Sequence, residues 1–259
     1  MNIIVCIKQV PGTTEIKIDP ETNTLVREGV ESIINPFDAF ALEEGVRLRE
    51  RCGGKVTAVS MGPPQAEAAL REAISLGADG AILLCDRAFA GSDTWATSYV
   101  LSRAVAKMAD YDVVICGRQT LDGDTGQVGP ELAEMLKIPF VAYVSKVDDV
   151  GDGHMRVQRM VEEGHEVIEI PLPAVITVVK EINVPRLPSL RGSMKAKTAQ
   201  IPVWTGEDIG SEPDKSGIAG SPTRVVKVFF PKRTTKSEMI QGTPEQQAEQ
   251  LAAKLEGVV

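Results

Sequence analysis

The sequence predicts an α/β chain: an open, mostly parallel, doubly wound sheet with an antiparallel hairpin addition and a C-terminal extended arm ending in a helix. Three observations carry this. Short β-branched runs alternate with helix-period segments over the first 145 residues. Two strand-like runs then flank Glu163-Gly164. From Asn183 the chain turns rich in Pro, Gly, Ser and Lys, with little periodicity. Alternating strands and helices imply right-handed βαβ units, hence parallel pairing.

Taken in order, Ile3 to Ile7 reads as a buried strand. Asn35-Pro36 opens a helix, because Asn caps well, Pro suits the first helical position and Asp38 complements the positive helix end. Ala39, Leu42 and Val46 recur at helical spacing, and Cys52-Gly53-Gly54 stops the segment. Lys55 to Met61 is the next strand. A helix with Ala66, Leu70 and Ala73 on one face follows and ends at Gly77. Ala81 to Cys85 is a third strand, and Asp93 to Ala109 a long helix with Thr97, Leu101, Ala104 and Met108 on one side. Asp112 to Cys116 is a fourth strand. A Gly-rich turn leads into a helix carrying Val128 and Leu132, and Phe140 to Val144 is a fifth strand.

Met155 to Val161 and Glu166 to Ile170 read as the hairpin, and Ala174 to Val179 as a further strand. The stretch from Asn183 to Pro222 has no core of its own and reads as an arm that needs a surface to lie on. Pro244 to Leu255 is a helix with Ala248, Leu251 and Leu255 on one face. The expected organisation is a nucleotide-binding α/β domain over 1–183 and the arm and helix over 184–259.

Composition narrows the function classes. Lys plus Arg is 28 and Asp plus Glu is 36, giving a net charge of −8. An acidic chain lacks the basic footprint that phosphate neutralisation on nucleic acid requires. The apolar runs are too short to span a bilayer, so no membrane insertion is expected. No secretory leader is read at the N-terminus. Cys6, Cys52, Cys85 and Cys116 form no C-x-x-C pair, and the two histidines are His154 and His165. That reads as reduced thiols in a cytoplasmic protein, without a metal site.

The stretch from Cys116 to Pro130 is the richest in possible chemistry. It follows a strand and opens a helix, and Gly123, Gly126 and Gly129 let a ligand approach the backbone. In an open α/β sheet this is the carboxyl end of a strand, where ligands bind. It is neither G-x-G-x-x-G nor a phosphate loop, so a plain Gly-rich turn stays open beside nucleotide binding. A second candidate is Gly91 to Ser98, where Thr94 and Thr97 share one face of a helix start. Capping by Ser92 or Asp93 is its alternative. Lys8 and Asn35 end a strand and start a helix, and each suits either a nucleotide contact or an ordinary local role. Trp95 and Trp204 read as packing residues, and no Ser/His/Asp or Cys/His set points to acyl transfer.

These residues resemble the beta subunit of electron transfer flavoprotein. Ile4 to Pro11 is similar to its first strand, and Ile34 to Asp38 with Ala41 to Glu44 to its Asn-Pro-led helix. Val59 to Pro63 is similar to its second strand end, and Gly117, Arg118, Gln119, Asp122, Asp124 and Gln127 to its nucleotide loop. Arg159 to Thr177 resembles its second-half motif, with a less glycine-like turn at Glu162 to His165. Pro188-Ser189-Leu190 and Met194 to Lys197 resemble its partner-docking loop.

The resemblance implies a heterodimer with an alpha subunit that carries FAD and is embraced by the arm. It implies nucleotide contacts from Cys6, Lys8, Asn35, Met61, Gly62, Thr94, Thr97, Cys116, Gly117, Arg118, Asp122, Gly123, Thr125, Gly126, Gln127 and Val128. Leu190 and Met194 would bind the partner, and no side-chain acid or base is implied. Asp93 to Ser98 and Asp122 to Pro130 resemble the branch in which the beta subunit holds a second FAD, oxidises NADH and bifurcates electrons. One electron then reaches an acyl-CoA dehydrogenase-type partner through the alpha-subunit FAD, and the other reaches ferredoxin or flavodoxin. The alternatives are a simple electron carrier with AMP in the beta site, an ATP-binding α/β protein and a scaffold subunit.

Overall fold

The computed structural model describes residues 1–12, 17–18, 25–26, 32–151, 153–226 and 237–256. The chain divides into two compact units, 1–225 and 226–259.

The first unit begins with β1 (Asn2–Cys6) and β2 (Gln9–Pro11). Two-residue strands β3 (Lys17–Ile18) and β4 (Leu25–Val26) pair with each other, and β5 (Ser32–Ile34) returns against β2. Then come α1 (Pro36–Cys52), β6 (Lys55–Met61), α2 (Glu67–Ser75), β7 (Gly80–Leu84), α3 (Thr94–Met108), β8 (Val113–Gly117) and α4 (Val128–Leu136). A meander follows: β9 (Phe140–Gly151), β10 (His154–Val161) and β11 (Gly164–Pro171), before β12 (Ala174–Val178). The expected hairpin is therefore present, but β9 runs seven residues past Val144 and makes it a three-stranded antiparallel extension.

The main sheet has nine strands in the order β11-β10-β9-β12-β8-β1-β6-β7-β13, where β13 is Val203–Trp204. Every pairing from β9 to β13 is parallel. Side chains alternate across it, as the two-residue strand period requires. Ile3, Val5, Val113 and Ile115 pack against α1 and α2 with Leu42, Val46, Leu70 and Ile74. Ile4, Cys6, Val114 and Cys116 pack on the opposite face with Val100, Val105 and Leu132 of α3 and α4. Both faces are covered, which is why the central strands read as continuous apolar runs.

The arm departs from the sequence expectation along its first part. Residues 190–198 form α5 (Leu190–Thr198), β13 adds to the sheet edge, and α6 (Gly217–Gly220) packs near α3. The segment is fastened to α1 by Arg186, whose guanidinium donates to Glu43 Oε2 at 2.8 Å and to Glu50 Oε1 at 2.7 Å. Arg71 donates to the Ala196 and Ala199 carbonyls at 2.6 and 3.2 Å, closing the C-terminal end of α5. Sequence alone missed this because the anchors are single polar contacts between distant elements, which leave no periodic trace.

The second unit contains α7 (Pro244–Leu255), started by a capping box between Thr243 and Gln246. Its Leu251 and Leu255 are half exposed. Among the described residues, no helix is long and apolar enough to cross a membrane.

The Arg186 contact is testable. Glu43 is nearly buried, so Arg186→Met leaves a carboxylate without its counter-charge. Urea unfolding should show a loss of about 2 kcal/mol for R186M. Adding Glu43→Gln should recover part of it, whereas strict additivity would mean the pair contributes no coupling.

Candidate functional site

The sheet has a topological switch point. From β1 the chain moves through α1 to β6 and β7, then returns by α3 on the other face to β8, on the far side of β1. The crevice between the carboxyl ends of β1 and β8 is the place where open α/β sheets take ligands. Cys6 and Cys116 pair in register there and form its floor. Both thiols are buried, and a hydrogen bond with Cys6 together with burial pushes the Cys116 thiol well above its ordinary range. Cys116 is therefore a neutral wall at neutral pH.

Asn35 organises the crevice. It is fully buried. Its side chain makes no cap on α1. Instead Nδ2 donates to the Gln119 carbonyl at 2.8 Å, and Oδ1 accepts the Leu121 N–H at 3.2 Å. Its own N–H donates to the Lys8 carbonyl at 2.9 Å. The ordinary capping role is thus replaced by one that ties the loop after β8 to the end of β1. Gly117 explains how close these elements run: a Cβ there would lie 2.4 Å from Asp38 Oδ1 and 2.6 Å from the Phe37 carbonyl carbon.

Lys8 is not a free ammonium. Its Nζ reaches both carboxylate oxygens of Asp122, at 2.8 and 2.7 Å, across the mouth of the crevice. Burial raises Asp122, but the hydrogen bond and charge of Lys8 outweigh it and hold the carboxyl below its usual range. The exposed loop is wired internally: Gly123 N–H donates to Thr120 Oγ1 at 3.3 Å, Asp124 N–H to the Thr120 carbonyl at 2.9 Å, and Gln119 Nε2 to Asp124. Gly126 takes a φ of +66°, which a side chain resists, and Thr125 is exposed beside it. Gln127 precedes Val128 at the start of α4 without a side-chain cap. Arg118 is exposed, stacks on Tyr143 at 5.0 Å and, among the described residues, pairs with no carboxylate.

The second candidate loop meets the first. Asp93 caps α3, accepting the Ala96 N–H at 3.0 Å, so the bland alternative holds for that residue. Thr94 Oγ1 lies 3.4 Å from Gln127 Oε1 and donates to Glu131 Oε1 at 3.1 Å, while Ser98 Oγ donates to Glu131 Oε2 at 3.1 Å. Burial raises Glu131 despite these two hydroxyls. Thr97 is half buried on the same turn. Met61 and Gly62 end β6, with Gly62 N–H donating to the Leu84 carbonyl at 3.0 Å. Trp95, read as a packing residue, is 46% exposed.

Of the positions named from the sequence, Cys6, Lys8, Asn35, Cys116, Gly117 and Asp122 therefore meet at one crevice, and Thr94 meets Gln127 at the end of its loop. Leu190 and Met194 lie elsewhere, four residues apart on α5, 81% and 64% exposed. The expected docking loop is a helix capped by Ser189, whose Oγ accepts the Gly192 N–H at 2.9 Å. Sequence reasoning missed Asp38, Glu131 and Tyr143. Asp38 was readable as a helix-end charge only, and Tyr143 carries no local signal for its φ of +58°.

The donor set fits a nucleotide. It offers a helix start without a side-chain cap, a guanidinium that meets no carboxylate among the described residues, the Thr97 hydroxyl on a second helix start and apolar walls at the sheet edge. Residues 22–209 match the family described as Electron transfer flavoprotein domain. The chain is 51% identical over 256 residues, 98% of both chains, to the electron transfer flavoprotein subunit beta of Thermoanaerobacterium thermosaccharolyticum. It is 49% identical over 244 residues, 94% of this chain and 93% of the relative, to the caffeyl-CoA reductase-Etf complex subunit CarD of Acetobacterium woodii. With Protein FixA of Azotobacter vinelandii it shares 45% over 265 residues, 98% and 94% of the two chains.

Asp38 gives the site a pH signature. Its carboxyl accepts the Lys8 N–H at 2.8 Å, and burial pushes it up from 3.8 to about 7 against the hydrogen bonds from Lys8, Asn35 and Gly117. A carboxyl raised on folding keeps its proton in the native chain while the unfolded chain releases it. Its contribution to stability is therefore fully present below pH 4 and is lost as pH rises toward 7. Asp38→Asn should remove that component. The stability difference, wild type minus D38N, should fall between pH 4 and pH 7 in denaturant titrations. A flat difference would mean the carboxyl titrates alike in both states.

Proposed function

The chain belongs to the electron transfer flavoprotein family as a relative of its beta subunits, and from that premise we propose a cytoplasmic, electron-bifurcating role. Paired with an alpha subunit, it holds FAD in the crevice between β1 and β8 and oxidises NADH there. Electrons then divide between ferredoxin or flavodoxin and, through the alpha-subunit FAD, an acyl-CoA dehydrogenase-type acceptor. The observation that carries this reading is the pairing of two helix starts, α3 and α4, across one loop with Gly126 at positive φ. The uncapped α4 amides suit one phosphate, and a hydroxyl on the first turn of α3, whose own amide end Asp93 caps, suits a second. The Acetobacterium woodii relative, named as a subunit of a caffeyl-CoA reductase-Etf complex, supports an acyl-CoA-type acceptor.

When bound, the flavin supplies two-electron acceptance and one-electron release. The protein's own residues position and exclude. The α4 amides and Arg118 would hold the phosphates, and Thr97 would add a hydroxyl from α3. Asn35 holds the loop at a fixed distance from β1, and the Lys8–Asp122 bridge crosses the mouth. Cys6, Cys116 and Met61 wall the crevice floor, and Asp38 lies beneath it, hydrogen-bonded to the Lys8 N–H. Leu190 and Met194 form an apolar pair at i, i+4 on a helix flanked by Arg191, Lys195 and Lys197. That suits a short-lived docking contact with an electron acceptor.

A second reading has its own observation. Glu131 occupies the hydroxyl of Thr94, and a carboxylate beside the α3 start is unfavourable to a longer anion. This favours AMP as a structural nucleotide in a simple electron shuttle. Nucleotide content of the purified heterodimer separates the two. Two FAD and no AMP are expected, and one FAD with one AMP would sink bifurcation. Replacing Thr94 and Thr97 with Val together should lower beta-site FAD occupancy by about tenfold at limiting flavin. Unchanged occupancy would remove them from the site. Leu190→Ala should raise KM for the acceptor dehydrogenase about tenfold while flavin reduction by NADH stays at the wild-type rate.

A further inference from the structure

The two helix starts beside the crevice share one carboxylate. Glu131 lies on the first turn of α4, half buried against α3. Its Oε1 accepts the Thr94 hydroxyl and its Oε2 the Ser98 hydroxyl, each at 3.1 Å. Ser98 is fully buried, one turn along α3 from Thr94. The sheet beneath holds α4 in place. A Cβ at Gly129 would lie 2.3 Å from Thr177 Cγ2 on β12 and 3.4 Å from the Phe140 ring on β9, so the helix rests directly on those strands.

The contact between Glu131 and Thr94 has a direction. A threonine hydroxyl has one proton to donate, and an ionised carboxylate only accepts. Ionised Glu131 therefore claims the Thr94 proton and leaves lone pairs for anything in the crevice. Protonated Glu131 can donate to the Thr94 oxygen instead, and the Thr94 proton is then free for a phosphate oxygen. The surroundings favour the protonated form. Burial raises the Glu131 carboxyl above its ordinary value against the hydrogen bonds from Ser98 and Thr94, and the charge of Asp93 on α3 adds to the rise. The next carboxylate of α4, Glu134, is paired with Lys137. From β9 and β12, Phe140 and Thr177 face the helix at Gly129.

We propose that Glu131 is a proton-operated switch at the phosphate end of the crevice: ionised, it keeps the Thr94 hydroxyl and repels a phosphate at the α3 start; protonated, it releases that hydroxyl to the diphosphate of FAD. FAD binding then draws a proton from solution. The inference rests on the reading that the crevice holds FAD, and adds the residue that regulates the hold. The carboxylate that opposes a longer anion becomes the device that admits one as the pH falls.

The test uses the heterodimer with its alpha subunit. FAD per heterodimer and the FAD dissociation constant are measured from pH 5.5 to pH 8. Asp38, pushed up to about 7, titrates in the same range, so every profile is read against Glu131→Gln. The glutamine keeps the shape and donates to Thr94 at every pH. E131Q should match wild type at pH 5.5 and bind FAD about tenfold more tightly than wild type at pH 8. Calorimetry at pH 7 in two buffers of different ionisation heat should show proton uptake on FAD binding to wild type that E131Q lacks. Ser98→Ala takes one hydrogen bond from the carboxylate and should move the wild-type profile to higher pH. Coincident wild-type and E131Q profiles, or an S98A profile that stays in place, overturn the switch and leave the bifurcating reading standing. A wild-type heterodimer with one FAD and one AMP overturns both.

Discussion

Asn35 and Asp38, at the amino end of α1, join three segments that have no covalent reason to meet: the end of β1, the start of α1 and the loop after β8. The crevice depends on this junction. A parallel sheet with a reversal of winding opens a cleft at its carboxyl edge whatever the side chains are. It does not fix how wide that cleft is or how the following loop lies. Here the distance is set by a buried amide that satisfies the loop's own backbone groups, and by a glycine with no room for a Cβ against Asp38. Buried polar groups of this sort are costly unless every partner is in place, so the loop has one low-energy position rather than several.

The rigid and adjustable parts of the site are separate. The floor is made of strand residues with almost no exposure, including the hydrogen-bonded Cys6 and Cys116. The roof is a seven-residue exposed stretch, Leu121 to Gln127, held at its start by Asn35 on Leu121 and by Lys8 on Asp122. Exposed loops held at few points open locally at far lower free energy than the core that carries them. A ligand can therefore enter without disturbing the sheet. The α5 segment shows the opposite choice: an apolar pair held outward on a helix that Arg71 and Arg186 tie to α2 and α1.

Much of this was legible in the sequence. The apolar runs of β1, β6, β8 and β12, the Asn-Pro start of α1, its glycine stop and the Asp93 cap of α3 are local signals, and the structure places these elements where the pattern predicts. The crevice followed from topology, since Cys6 to Lys8 and Cys116 to Arg118 end strands of one parallel sheet. What escaped was set by distant partners. Asn35 reads as an N-cap from its neighbours, and only the folded chain shows it bonding to Gln119 and Leu121 instead. Thr94 reads as a free hydroxyl, yet Glu131 lies 37 residues on and takes it. Tyr143 sits in a run that looks like an ordinary strand, and its left-handed backbone arises from a mismatch with β12 that no window of sequence contains.

The bridge between Lys8 and Asp122 has side chains 46% and 29% exposed. A pair so wetted is screened by mobile ions, and its attraction fades over a Debye length of about 8 Å at physiological ionic strength. It contributes little to folding, but it is the contact that closes the mouth of the crevice. The retention of any ligand held beneath it is accordingly coupled to the salt content of the surrounding solution. Concentrated salt loosens the loop without loosening the protein, so the residence time of the ligand is set by ionic conditions that leave the fold unchanged.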